Sequence, residues 1–218
     1  MGRDGVRPEQ PRLRGVSHQW AAIFAVPLGV ALVVAAGGSR ARAAVAVYAI
    51  SLVALFAVSA LYHRVNWRSL VARRWMRRLD HSMIFVLIAA TYTPVAVVAL
   101  RGPAGVAILT AAWIGALSGV VVKLAWITAP RWLVVAAYVA LGWIALAAVP
   151  QLVAAIGAVG LALLAVGGLL YTGGALVYAL RRPDPAPGVF GYHEVFHAMV
   201  IAAALVQYAV IAFWVVPH

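Results

Sequence analysis

The chain has 218 residues, of which 66% are hydrophobic and only 10% charged, with a mean hydropathy of +0.99. Soluble domains carry charge on about a quarter of their residues, so a soluble enzyme or binding module is excluded and a polytopic membrane protein is expected. The net charge of +12 lies between apolar runs, where its expected partners are anionic lipid head groups and not nucleic acid.

Residues 1–17 hold Arg3, Arg7, Arg12 and Arg14 among Pro and Gly and read as a disordered basic tail. Span one covers about 19–37. Its Arg-rich start, apolar run and following small residues also fit a signal peptide, although the run is long enough to cross about 30 Å of hydrocarbon by itself. Span two is about 43–63, span three about 81–100 and span four about 103–123, ending at Lys123. Between Arg131 and Arg181 no charge occurs, and Pro150-Gln151 breaks this run into spans five (about 131–149) and six (about 153–179). Residues 181–190, with Pro183, Pro185, Pro187 and Gly188, form a loop before span seven, about 192–216.

The expected fold is therefore all-α, a seven-helix transmembrane bundle over residues 18–218. The tail and the 2–3, 4–5 and 6–7 loops carry four, six, two and two of the 17 Lys and Arg, against Arg40, Arg42 and Arg101 on the other side. By the positive-inside rule the N-terminus is cytoplasmic and the C-terminus outside, in the inner (plasma) membrane. Small residues such as Gly115 and Gly119, or Gly167 and Gly168, suit close helix packing in lipid.

The chemistry concentrates at span ends. His193 and His197 stand four apart, so a helix presents both imidazoles on one face, one turn apart. His63 ends span two and Asp80 begins span three, so alternation brings all four residues to the cytoplasmic face. With no cysteine in the chain, any metal must be held by nitrogen and oxygen. His63, His193 and His197 are the expected ligands of a Zn²⁺ ion, with a fourth position open to water as in catalytic zinc sites. Asp80 would orient that water or act as its general base. Ser59, one turn before His63, is either a second donor to the site, such as an oxyanion donor, or a serine bonded to its own helix. His81 points about 100° away from Asp80 and is left outside the ligand set. His18 is either a supporting or a purely interfacial residue. His193-Glu194-Val195-Phe196-His197 is also a literal H-E-x-x-H, the mark of zinc proteases with Glu as base, but no third ligand follows it on the same face.

Ser59-Ala-Leu-Tyr-His63, Leu79-Asp80-His81-Ser82, Thr91-Tyr92-Thr93-Pro94 and Tyr192-His193-Glu194-Val195-Phe196-His197, in this order, resemble the hemolysin III proteins, the bacterial branch of the progestin and adipoQ receptor family. That resemblance implies seven spans with the N-terminus inside. It also implies a zinc near the cytoplasmic face on His63, His193 and His197, with Asp80 orienting water and Ser59 as the motif serine. Kinship with alkaline ceramidases implies lipid amide hydrolysis. The family name implies pore formation, yet the spans lack a repeated polar stripe to line a wide channel.

The stretch Arg64–Arg78 spaces Trp67, Leu70, Val71, Trp75 and Met76 helically between arginines, as in an amphipathic helix in the inner head-group layer or an ordinary basic loop. The expected function is a zinc-dependent hydrolase of a lipid amide or ester, with membrane lipid as substrate. The alternatives are a signalling or homeostasis protein with structural zinc, and a cytolytic pore.

Overall fold

A computed structural model describes residues 11–100 and 102–217. Residues 1–10 of the expected tail and Arg101 lie outside that range. The described elements are α1 (Val16–Ala35), α2 (Gly38–Arg64), α3 (Leu70–Pro94), α4 (Gly102–Ala125), α5 (Arg131–Gly142), α6 (Val149–Leu180) and α7 (Tyr192–Val210). α3 and α7 run on into wider π-helical turns, Val95–Leu100 and Ile211–Val215, and a 3₁₀ segment, Ile144–Ala148, joins α5 to α6. Among the described residues the one β contact is an isolated bridge between Ala186 and Phe190 in the 181–190 loop. Six helical runs are long and apolar enough to cross a membrane, Arg131–Leu180 counting as one run of 50 residues.

Several boundaries differ from the sequence reading for identifiable reasons. α2 starts at Gly38, because Arg42 is used within the fold: its Nε donates to Ala36 O at 3.1 Å and closes the end of α1. α3 starts at Leu70, where Ser69 caps it by accepting from the Ala72 N–H. The arginine-rich stretch is thus mostly the first turns of one continuous 31-residue run. At 1.5 Å per residue that run is about 46 Å long, more than the hydrocarbon layer, so its basic end reaches past it. The break in the long run falls at Trp143–Ala148, before Pro150. Proline fits the first turn of a helix, whose N–H groups lack partners anyway, so Pro150 opens α6 and does not end α5. α6 is itself kinked at Gly157, whose φ of 68° needs glycine.

Contacts between helices are close. A Cβ added at Gly29 of α1 would come within 3.0 Å of Ala49 of α2, and one at Gly119 of α4 within 2.4 Å of the Phe85 ring of α3. Arg131, which begins the 50-residue run, lies 5.7 Å over the Tyr178 ring near its end. The two ends of that run therefore stand at one level. The described end of the tail is held: Arg12 and Leu13 donate backbone N–H bonds to Gly188 O and Val189 O, both at 3.1 Å. This brings residues 11–15 onto the end of the bundle where α2 ends and α7 begins.

Candidate metal centre

α7 opens at Gly191, and the first turn is built by Glu194. Its Oε2 accepts the Gly191 N–H at 2.9 Å, its Oε1 pairs with the Arg14 guanidinium, and it is 2% exposed. Negative charge in a first turn suits the helix dipole and the unpaired N–H groups there. Starting the helix at Tyr192 aims His193 and His197 inward, both buried. The last turn of α2 brings His63 opposite, with its Nε2 3.2 Å from His193 Nε2. One donor atom from each of His63, His193 and His197 lies within 4.8 Å of the others, so the three stand close enough to hold a metal ion. The Nδ1 of His197 is buried and makes no hydrogen bond.

Asp80 sits at the edge of this cluster, Oδ2 3.8 Å from His63 Nε2 and 3.7 Å from His81 Nδ1. His81 is committed elsewhere: Nδ1 bonds Arg77 O at 2.8 Å and Nε2 meets the Tyr178 hydroxyl at 3.4 Å. Ser59 does not bond its own helix; its Oγ joins His18 Nδ1 at 2.8 Å. The His18 ring in turn lies flat on His197, centroids 3.7 Å apart and planes within 8°. α1 thus supplies a backing layer for the ligand-bearing face of α7.

The cluster stands at one end of an internal cavity of about 190 Å³. Its walls take in His18, Ser59, Asp80, His193 and His197 at one end, and Leu152, Leu161 and Gln207 at the other. Along α7 alone the lining runs from His193 to Gln207, about 21 Å at 1.5 Å per residue. Between these ends it is mostly Leu, Ile, Val, Ala and aromatic carbon. The H-E-x-x-H string does not work as in a zinc protease here, because the Glu194 carboxylate is spent on Gly191 and Arg14.

With this geometry, comparison with known proteins is decisive about kinship: the family described as haemolysin-III related matches residues 6–208. The chain belongs to this family. A hemolysin-3 of Bacillus cereus is 29% identical over 205 residues, covering 93% of this chain and 90% of the relative. A hemolysin-3 homolog of Bacillus subtilis (strain 168) is 27% identical over 204 residues, 92% of each. In this haemolysin-III protein the motif histidines of α2 and α7 converge. Two contacts escaped sequence reasoning, the stack of His18 on His197 and the Arg14–Glu194 pair, although the sequence itself places His18 as a supporting or interfacial residue. Each joins the N-terminal segment or α1 to a distant helix, and no local period signals such a meeting. The available signal for His18 is its place at the start of span one, on the same side as the other histidines.

Proposed function

We propose that this protein is a seven-span enzyme of the inner (plasma) membrane, N-terminus inside and C-terminus outside, that hydrolyses a lipid amide or ester using zinc near the cytoplasmic face. The observation that carries the reading is the junction of the His63, His193 and His197 donor set with an apolar cavity about 21 Å long. One leaflet of hydrocarbon is about 15 Å deep, so such a cavity suits one acyl chain with its polar linkage at the histidines.

The donor set fits zinc. Nitrogen ligands at about 2.0–2.1 Å in a tetrahedron stand about 3.3 Å apart; the His63 and His193 Nε2 atoms are 3.2 Å apart, and all three donor atoms lie within 4.8 Å of one another. When bound, zinc supplies a Lewis acid that polarises a carbonyl and lowers the pKa of water. His63, His193 and His197 would hold the ion, and the His18 ring fixes the orientation of His197. Asp80 takes a proton from the attacking water and returns it to the departing amine or alkoxide. Ser59, fixed by His18, offers its hydroxyl to the developing oxyanion. The apolar walls keep bulk water from the chain and leave the histidine end as the polar point of attack. These walls also speak against a conducting pore.

Seven crossings follow if Arg131–Leu180 is a hairpin of two spans, which the Arg131–Tyr178 contact supports. Because the chain has no cysteine, single cysteines report sidedness directly. Asn66→Cys and Thr128→Cys are expected to react with impermeant maleimide only from the cytoplasmic side, and Gly37→Cys only from outside; the reverse pattern overturns the orientation.

A second reading, in which the metal is a structural clamp between α2 and α7, is favoured by the near-complete burial of His197 at 2%. Metal analysis of detergent-purified protein separates these readings when combined with turnover of lipid amides and esters. Near one zinc per chain, lost in His193→Ala/His197→Ala, with hydrolysis abolished by Asp80→Asn, supports the enzyme. Zinc without turnover supports the clamp. No zinc after supplementation overturns both.

A further inference from the structure

On the outer side of the bundle, α4 and α5 enclose an open groove of about 480 Å³ that shares no lining residue with the cavity at the histidines. Its walls include Ala111, Gly115 and Ser118 of α4 and Leu133, Ala137 and Leu141 of α5. Its basic-loop end is marked by Lys123, which lines it and is 3% exposed. No ion pair among the described residues involves Lys123, and none of their hydrogen bonds takes its ammonium.

The surroundings sharpen the anomaly. Arg78 of α3 donates from Nε to Leu124 O at 2.9 Å, one residue along from Lys123, and Arg77 precedes Arg78 on the same helix. Three cations thus meet at the α3–α4 corner. Each described acid is engaged elsewhere: Asp80 faces His63 and His81, Asp184 accepts the Tyr192 N–H, and Glu194 pairs with Arg14. The stem of Lys123 is covered while its ammonium is not among the buried groups without a partner, so the tip stays within reach of an anion at the membrane boundary.

We infer that the α4–α5 groove is a binding site for one anionic phospholipid of the leaflet on the basic-loop side, with Lys123 on the phosphate and an acyl chain along the groove. From Ala111 to Lys123 is twelve residues, about 18 Å of helix, against about 15 Å of leaflet hydrocarbon. Ala111, Ser118 and Ala137 are exposed, so the chain enters sideways from the bilayer. The site is separate from the metal centre and does not depend on its chemistry.

The test uses the full chain reconstituted in phosphatidylcholine vesicles, probed with trace spin-labelled phosphatidylglycerol or spin-labelled phosphatidylcholine. The immobilised fraction of each label gives relative affinity. The wild type is expected to prefer phosphatidylglycerol. Lys123→Gln is expected to cut that preference about fivefold, the effect of one cation beside an anionic head group, and Lys123→Arg to retain it. Ala137→Trp, which fills the groove from an exposed position without touching the charge, is expected to cut it as well. Absence of any preference in the wild type overturns the proposal, as does a preference that survives both Lys123→Gln and Ala137→Trp. If Ala137→Trp instead splits a dimer, seen by native mass spectrometry, and leaves lipid binding intact, the groove is a contact between copies and the proposal fails. Oleate immobilised in the groove where phosphatidylglycerol is not also overturns it. An unchanged thermal unfolding profile in detergent for every variant shows that the bundle is intact.

Discussion

Removing His18 tests whether α1 supports the metal centre from behind. The side chain is 3% exposed, stacks on His197 at 3.7 Å and bonds Ser59 Oγ at 2.8 Å. A stacked aromatic pair contributes about 0.5–1.5 kcal/mol beyond burial, and one net hydrogen bond about 1 kcal/mol. Together these amount to about 2 kcal/mol holding His197 in one orientation. If all of it acts on the metal-holding arrangement, His18→Ala raises the zinc dissociation constant about 30-fold. That lies within the range of about 10–100-fold typical of residues that orient metal ligands. His18→Phe keeps a ring against His197 and loses only the Ser59 bond, so about fivefold is expected. The assay is competition for Zn²⁺ between detergent-purified protein and a chromophoric chelator, with His193→Ala as the variant of largest loss. An affinity of His18→Ala within about twofold of wild type refutes the supporting role, because an effect that small is under 0.5 kcal/mol.

Glu194→Gln is expected to keep full metal content and to lower stability by about 2 kcal/mol, because it unpairs a mostly covered Arg14 and weakens the start of α7; loss of zinc in this variant would add Glu194 to the metal site. Gly119→Ala places a methyl 2.4 Å from the Phe85 ring, so thermal unfolding in detergent is expected to show a loss of about 1–3 kcal/mol from overpacking. An unchanged melting temperature would mean that α3 and α4 are not in such close contact. Gly157→Ala meets no atom within 4 Å but has a φ of +68°, which isolates backbone strain and is expected to cost about 1 kcal/mol. Gly142→Ala, equally open and without a positive φ, is expected to be neutral or slightly stabilising in the same assay.

Membrane residence follows from composition alone, since 66% hydrophobic residues cannot be covered in a small soluble domain. Helical spacing is equally local, so His193 and His197 are bound to share a face wherever α7 forms, and the pairing of His63 with them is legible once spans alternate. The exact breaks were less legible. Pro150 suits the beginning of a helix as well as an interruption, so only packing decides that the turn lies at Trp143–Ala148. For Ser59 the spacing left open a donor to the site or a bond to its own helix, and the approach of α1 and α3 turned it to His18 and Asp80. Glu194 sat inside a protease-like string, but Arg14, 180 residues earlier, turned its carboxylate into a helix-start anchor. Lys123 ended a span in the sequence, and only the crossing of α3, α4 and α5 left it covered and without an acid. Local sequence sets which residues share a helix face, because backbone geometry alone controls that spacing. Which faces meet depends on side chains packing across helices far apart in the chain, and no local period encodes it.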